Sequence, residues 1–90
     1  MKYTVSNELV SMFKNTNKSI NYMLDYLLSV IDPRNCKQYF KALTSLTFSC
    51  GKGEVQISDT NIKYIKSLFG YVNDELVERL LWVALLFQEV

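Results

Sequence analysis

The stretch KSINYMLDYLLSVI, residues 18–31, decides the fold class. Ile20, Met23, Leu24, Leu27, Val30 and Ile31 recur at i, i+3, i+4 and i+7 spacing, with Asn21, Asp25 and Ser29 opposite them. That period predicts an amphipathic helix from about Lys18 to Ile31. One apolar stripe buries itself only against other elements, so its neighbours decide the architecture.

Upstream, Ser6 suits an N-cap and Glu8 the first turn of a helix carrying Leu9, Met12 and Phe13 on one face. Asn15-Thr16-Asn17 interrupts it. Downstream, Asp32-Pro33 closes the 18–31 helix and opens the next. A residue before proline avoids helical angles, and proline suits a first helical position. Cys36, Phe40 and Leu43 then line one side, and Arg34, Lys37 and Lys41 another.

Near Thr44 the period changes. Leu46, Phe48 and Cys50 alternate with Thr47 and Ser49 before Gly51-Lys52-Gly53, and Val55 and Ile57 alternate with Gln56 and Ser58 after it. Period two on both sides of a Gly-rich turn predicts a β-hairpin at about 45–58. The competing pattern is a helix that runs from Pro33 to Cys50 and stops at Gly51. An isolated hairpin is marginal, so it has to pack on the helices.

Ser58 or Asp59 caps a helix with Ile62, Ile65, Leu68 and Phe69 on its apolar face, and Gly70 ends it. Asn73 caps the last helix, which opens with Asp74 and Glu75 and carries Leu76, Leu80, Val83 and Phe87 as a first stripe. The expected fold is mainly α: a single domain over 1–90, a compact bundle of four to five short helices with one short β-hairpin. Ninety residues fall well below the size at which chains divide. An apolar fraction of 49% excludes disorder.

Function is constrained first by what the chain lacks. It has no histidine, which removes the commonest general acid–base, the commonest metal ligand and every serine– or cysteine–histidine pair. Cys36 and Cys50, the only two cysteines, do not make a structural zinc site alone and have no Cys-x-x-Cys spacing. Gly51-Lys52-Gly53 lacks the further residues a phosphate cradle needs. Asp74, Glu75 and Glu78 sit where carboxylates complement a helix dipole. The chain is therefore expected to be non-enzymatic, with no cofactor and no metal. Met1-Lys2-Tyr3-Thr4 does not open a signal peptide, and Leu80–Phe87 is too short to cross a bilayer, so a cytoplasmic protein with reduced thiols and no membrane partner is expected.

Two features suit binding. Beyond Leu80 the last helix is apolar nearly all round: Leu81, Trp82, Leu85, Leu86 and Phe87 exceed what a small core easily covers. Either this helix runs through the middle of the domain or part of it is a homodimer or partner interface. The second feature is charge. Residues 1–53 carry seven basic and three acidic side chains, and residues 54–90 three basic and six acidic. Arg34, Lys37 and Lys41 are spaced along one side of one helix, with Lys14, Lys18 and Lys52 in the same basic half. Such a face docks on an acidic surface or contacts phosphates.

Glu54-Val55-Gln56-Ile57-Ser58 through Leu80 resembles helix-turn-helix regulators and plasmid-type replication initiators. The carriers are Ile62, Ile65, Leu68-Phe69-Gly70, Val72, Leu76-Val77 and Leu80, about a third of the chain. The resemblance implies DNA binding as a regulator or a replication or partition accessory. It departs at the implied recognition helix, which opens Asn73-Asp74-Glu75, continues with Glu78 and is too apolar later to lie in a groove. The principal expectation is a small accessory or inhibitor-type protein that binds a protein partner and self-associates through its apolar C-terminal helix. Nucleic-acid binding by the basic N-terminal half is the alternative.

Overall fold

The computed structural model describes residues 1–32, 34–43 and 51–87. Their element order is β1 (Lys2–Ser6), α1 (Asn7–Lys14), α2 (Ile20–Val30), α3 (Cys36–Leu43), β2 (Lys52–Gln56), α4 (Asp59–Phe69) and α5 (Asp74–Phe87). The fold is mainly α, as expected, with five helices and one short antiparallel pair of strands among the described residues.

Local chemistry sets the helix ends. Ser6, Ser19 and Ser58 are extended and accept, through their hydroxyls, from the N–H of Leu9, Tyr22 and Asn61. Asn73 accepts from Leu76 N–H at 2.8 Å at the start of α5. Gly70 ends α4 at φ +83°, a left-handed conformation that glycine adopts without strain, and its N–H donates to the Lys66 carbonyl. Asp32 shapes the turn into α3. Its carboxylate accepts from Arg34 N–H and from the Arg34 guanidinium. Pro33 lies outside the described residues, and α3 begins at Cys36 rather than at the proline.

The strand at 52–56 falls inside the segment expected to be β, but it pairs with the N-terminus. Lys2–Ser6 and Lys52–Gln56 run antiparallel, with Lys2 opposite Gln56 and Ser6 opposite Lys52. The first half of the expected hairpin, 44–50, lies outside the described residues. Lys52 and Gly53, expected in its turn, belong to β2. A Cβ at Gly53 would stand 2.8 Å from Asn7 Oδ1 and 3.0 Å from Val10 Cγ2, side-chain atoms that would have to shift, so α1 packs closely over this glycine.

Tyr3, Val5 and Val55 turn one face of the strand pair into the core, where they join Leu9, Met23, Leu24, Leu27, Ile57, Ile65, Leu76, Leu80 and Leu81. α5 runs through the middle, against β1 and helices α1, α2 and α3. Its Leu76, Val77, Leu80, Leu81, Val83 and Ala84 are all buried. At ~1.5–3 kcal/mol for each large apolar side chain, this helix is the largest contributor to the core.

Candidate interaction surface

α5 has two very different ends. At its start, carboxylates close a strand edge. The alternation of β1 leaves the N–H groups of Thr4 and Ser6 pointing away from β2. Asp74 Oδ1 accepts from Thr4 at 3.2 Å and Glu78 Oε1 from Ser6 at 2.7 Å. The two acids are i, i+4 neighbours on α5, spaced to meet alternate residues of the strand. Ser6 and Glu78 are both buried, so their bond replaces water that is not there. Glu75 instead pairs with Arg79 on the outer side. The acidic cluster is thus part of the fold.

At its finish, α5 leaves apolar surface open. Of the five residues singled out there, Leu81 is fully buried and Trp82 and Leu85 are half-buried. Leu86 is 59% exposed and Phe87 36% exposed. Phe87 and Val83 meet the last turn of α2 and the outer side of α3. Together with Val30, Ile31, Asp32, Asn35 and Tyr39 they line a cleft of about 190 Å³. Val30 and Tyr39 are themselves half exposed, at 49% and 53%. Buried Val83 and half-buried Ile31 beneath exposed Val30, Tyr39 and Phe87 give an apolar depression, open to solvent at its rim. Trp82 and Arg79 lie beside it on the outer face of α5. Their indole Nε1–H and guanidinium Nε–H are buried without an acceptor among the described residues.

Of the three basic residues expected along one side of one helix, Lys37 and Lys41 belong to α3 and Arg34 does not. Arg34 precedes α3, in the turn, and pairs with Asp32 at 3.3 Å. Lys41 is exposed on α3, and the Lys37 side chain lies outside the described residues. Lys14 ends α1, Lys52 opens β2, and Lys18 stands over the Tyr22 ring, 5.5 Å from its centroid. The hydrogen bonds around Asp32 hold its carboxyl below the usual range, first through the Arg34 backbone N–H and then through its side chain. Arg34, through its pair with Asp32, stands at the margin of the apolar cleft, whereas Lys41 follows Tyr39 by two positions on α3 and so projects from a different side of that helix.

The helix–Gly70–helix arrangement at α4 and α5 is present, but the helix that the resemblance assigns to a DNA groove lies mostly in the core. Its first turns are engaged with β1. Among the described residues there is no group of three or more Cys, Asp or Glu placed to hold a metal, and no helix is long and apolar enough to cross a membrane. Comparison with protein-family models, curated proteins and solved structures finds no match to this chain.

Sequence reasoning found Leu86 and Phe87 but missed Val30 and Tyr39. Val30 belongs to the core stripe by period, yet it falls on the last turn of α2, beyond the reach of the packed helices. Nothing in the spacing of Tyr39 separates it from a solvated tyrosine. Its place in the cleft follows from the turn at Asp32, which folds α3 back beside the end of α2.

Proposed function

We propose that this chain is a non-catalytic, cytoplasmic protein-binding module, of accessory or inhibitor type, whose contact surface is the apolar cleft at the end of α5. The observation that carries the proposal is the joint exposure of Val30, Tyr39 and Phe87 around one depression, with exposed Leu86 next to Phe87 on α5, where most other large aliphatic side chains among the described residues are buried. A partner's apolar side chain enters between Phe87, Tyr39 and Val30, beside Arg34 in the turn. Self-association through the same end belongs to this proposal, because Leu86 and Phe87 are equally available to a second copy.

Affinity purification from the native host tests it, with wild type and Phe87→Glu compared in nuclease-treated and untreated arms. A protein retained by wild type after nuclease treatment and lost with Phe87→Glu supports the reading. Recovery of nucleic acid alone, together with duplex binding that falls steeply with salt, transfers the function to the basic half of the chain. Sedimentation equilibrium at micromolar concentration decides self-association, and a monomer removes that part.

A further inference from the structure

A second depression, sharing no lining residue with the first, lies between α2 and α4. It encloses about 210 Å³ and is lined by Asp25, Leu28 and Ser29 from α2 and by Thr60, Asn61 and Tyr64 from α4. Its walls are fixed by hydrogen bonds rather than by loose packing. Asn21 Oδ1 accepts from Ser58 N–H at 2.9 Å, and the Asn61 amide donates to the Asn21 carbonyl and to its Oδ1, both at 3.4 Å. Leu28 and Asn61 are buried and form the floor; Asp25, Ser29, Thr60 and Tyr64 stand exposed at the rim. Among the described residues, no lysine, arginine or terminal amine pairs with the Asp25 carboxylate; the ion pairs engage Asp59, Glu54, Asp32 and Glu75 instead.

We propose that this groove binds the guanidinium group of an arginine side chain presented by a partner protein. A carboxylate offers two parallel acceptors to a guanidinium, and an exposed tyrosine ring offers it a face. Asp25 and Tyr64 supply these from opposite walls. The hydroxyls of Ser29 and Thr60 supply further acceptors. Ser29 already donates its proton to the Tyr26 carbonyl and so presents a lone pair. Leu28 on the floor receives the aliphatic stem. A point-like ammonium uses the carboxylate but not the planar geometry. The same helix already holds a cation against a tyrosine, one turn earlier, where Lys18 stands over Tyr22. This site is separate from the apolar cleft, and its test does not depend on that proposal.

The test is an NMR titration of the uniformly ¹⁵N-labelled chain with N-acetyl-arginine methylamide at constant ionic strength. The lysine and citrulline counterparts and guanidinium chloride serve as the other probes. Saturable shifts confined to Asp25, Ser29, Thr60 and Tyr64 are expected with the arginine probe. The lysine and guanidinium probes should bind more weakly, and the neutral citrulline probe should not bind. Asp25→Asn, at an exposed position that leaves the fold intact, should weaken the arginine probe about tenfold, as expected for loss of a charge-assisted pair. Tyr64→Leu should weaken it less. Shifts that do not saturate, that citrulline reproduces, or that persist in Asp25→Asn overturn the proposal. Equal affinity for guanidinium chloride and the arginine probe overturns the assignment to an arginine side chain.

Discussion

The two ends of α5 invert the usual division between charged surface and apolar core. Its first turns carry Asp74 and Glu78, yet Glu78 is buried and accepts from a buried backbone N–H. Its last turn carries Leu86 and Phe87, and both face solvent. The difference lies in what each end packs against. The start meets a strand whose outward N–H groups lack a neighbouring strand, and a carboxylate that accepts from such a group satisfies it and offsets part of the carboxylate's own desolvation. The finish passes the end of α2 and the side of α3, where no further element is seated among the described residues. Charge at one end serves the fold, and apolar surface at the other is left open to solvent.

The largest effect expected from this contrast is in the middle against the end. Leu80 is fully buried, so Leu80→Ala should cost ~2–5 kcal/mol, enough to unfold much of so small a domain. Leu86→Ala should stay within about 0.5 kcal/mol, as surface changes do. Urea unfolding followed by circular dichroism measures both. A large loss with Leu86→Ala means that this side chain is covered, in the monomer or by a second copy, and concentration dependence of the midpoint separates the two.

At the start of the helix the next effect is smaller and more specific. Glu78→Ala strips the acceptor from a buried Ser6 N–H and should cost ~1–3 kcal/mol. Glu78→Gln keeps a carbonyl oxygen in place and should cost less. Asp74→Ala releases the exposed Thr4 N–H to water and should be milder than either. Equal losses for Glu78→Ala and Asp74→Ala mean that burial does not set the value of these bonds. Amide exchange of Ser6 and Thr4 gives a second readout, with Ser6 the more protected in wild type. On the outer face, Trp82→Phe removes a buried indole N–H that has no acceptor among the described residues while keeping much of the aromatic surface, and should change stability by less than ~1 kcal/mol. A larger loss identifies an acceptor for that N–H.

The helices of this fold are legible in the sequence because periodicity and caps are local. Ile20 to Val30 shows a clean 3.6-residue stripe, and Ser6, Ser58, Gly70 and Asn73 mark helix ends by chemistry that acts within a few residues. Strand β1 is not legible in this way. Tyr3 and Val5 alternate with Lys2 and Thr4 over too few residues to stand out, and the partner lies some fifty positions away at β2. Alternation marks the segment from Val55 onward as extended; it does not encode the strand it pairs with. Gly53 reads as a turn glycine, whereas it belongs to β2, with Asn7 and Val10 of α1 close over it. The carboxylates of Asp74 and Glu78 fit a helix dipole and a strand edge equally well on paper, and only the packing of α5 on β1 separates the two. The cleft was visible in part, through Phe87. The rest of it depends on how Asp32 turns the chain, which no hydrophobic pattern records.

The smallest expected effect sharpens the same boundary between α5 and β1 through Tyr3. Burial pushes the Tyr3 phenol above its ordinary value of 10.0, and the nearby Asp74 charge raises it further. The folded state therefore holds this proton more tightly than the unfolded chain does. Its contribution to stability is complete below the unfolded tyrosine value and falls as pH rises from there through the higher folded value. Tyr3→Phe should lessen the loss of stability in that alkaline window and leave the neutral range nearly unchanged, apart from the lost hydroxyl contacts. Asp74→Asn should lower the Tyr3 value part of the way and leave the larger contribution from burial. ¹³C NMR of ring-labelled tyrosine follows it directly, because Tyr22, Tyr26, Tyr39, Tyr64 and Tyr71 are exposed and give separate reference curves. An unmoved Tyr3 titration in Asp74→Asn means that the carboxylate does not act on the ring, and the approach of α5 to this part of β1 has to be redrawn. A Tyr3 value that falls among the exposed tyrosines removes its place in the core.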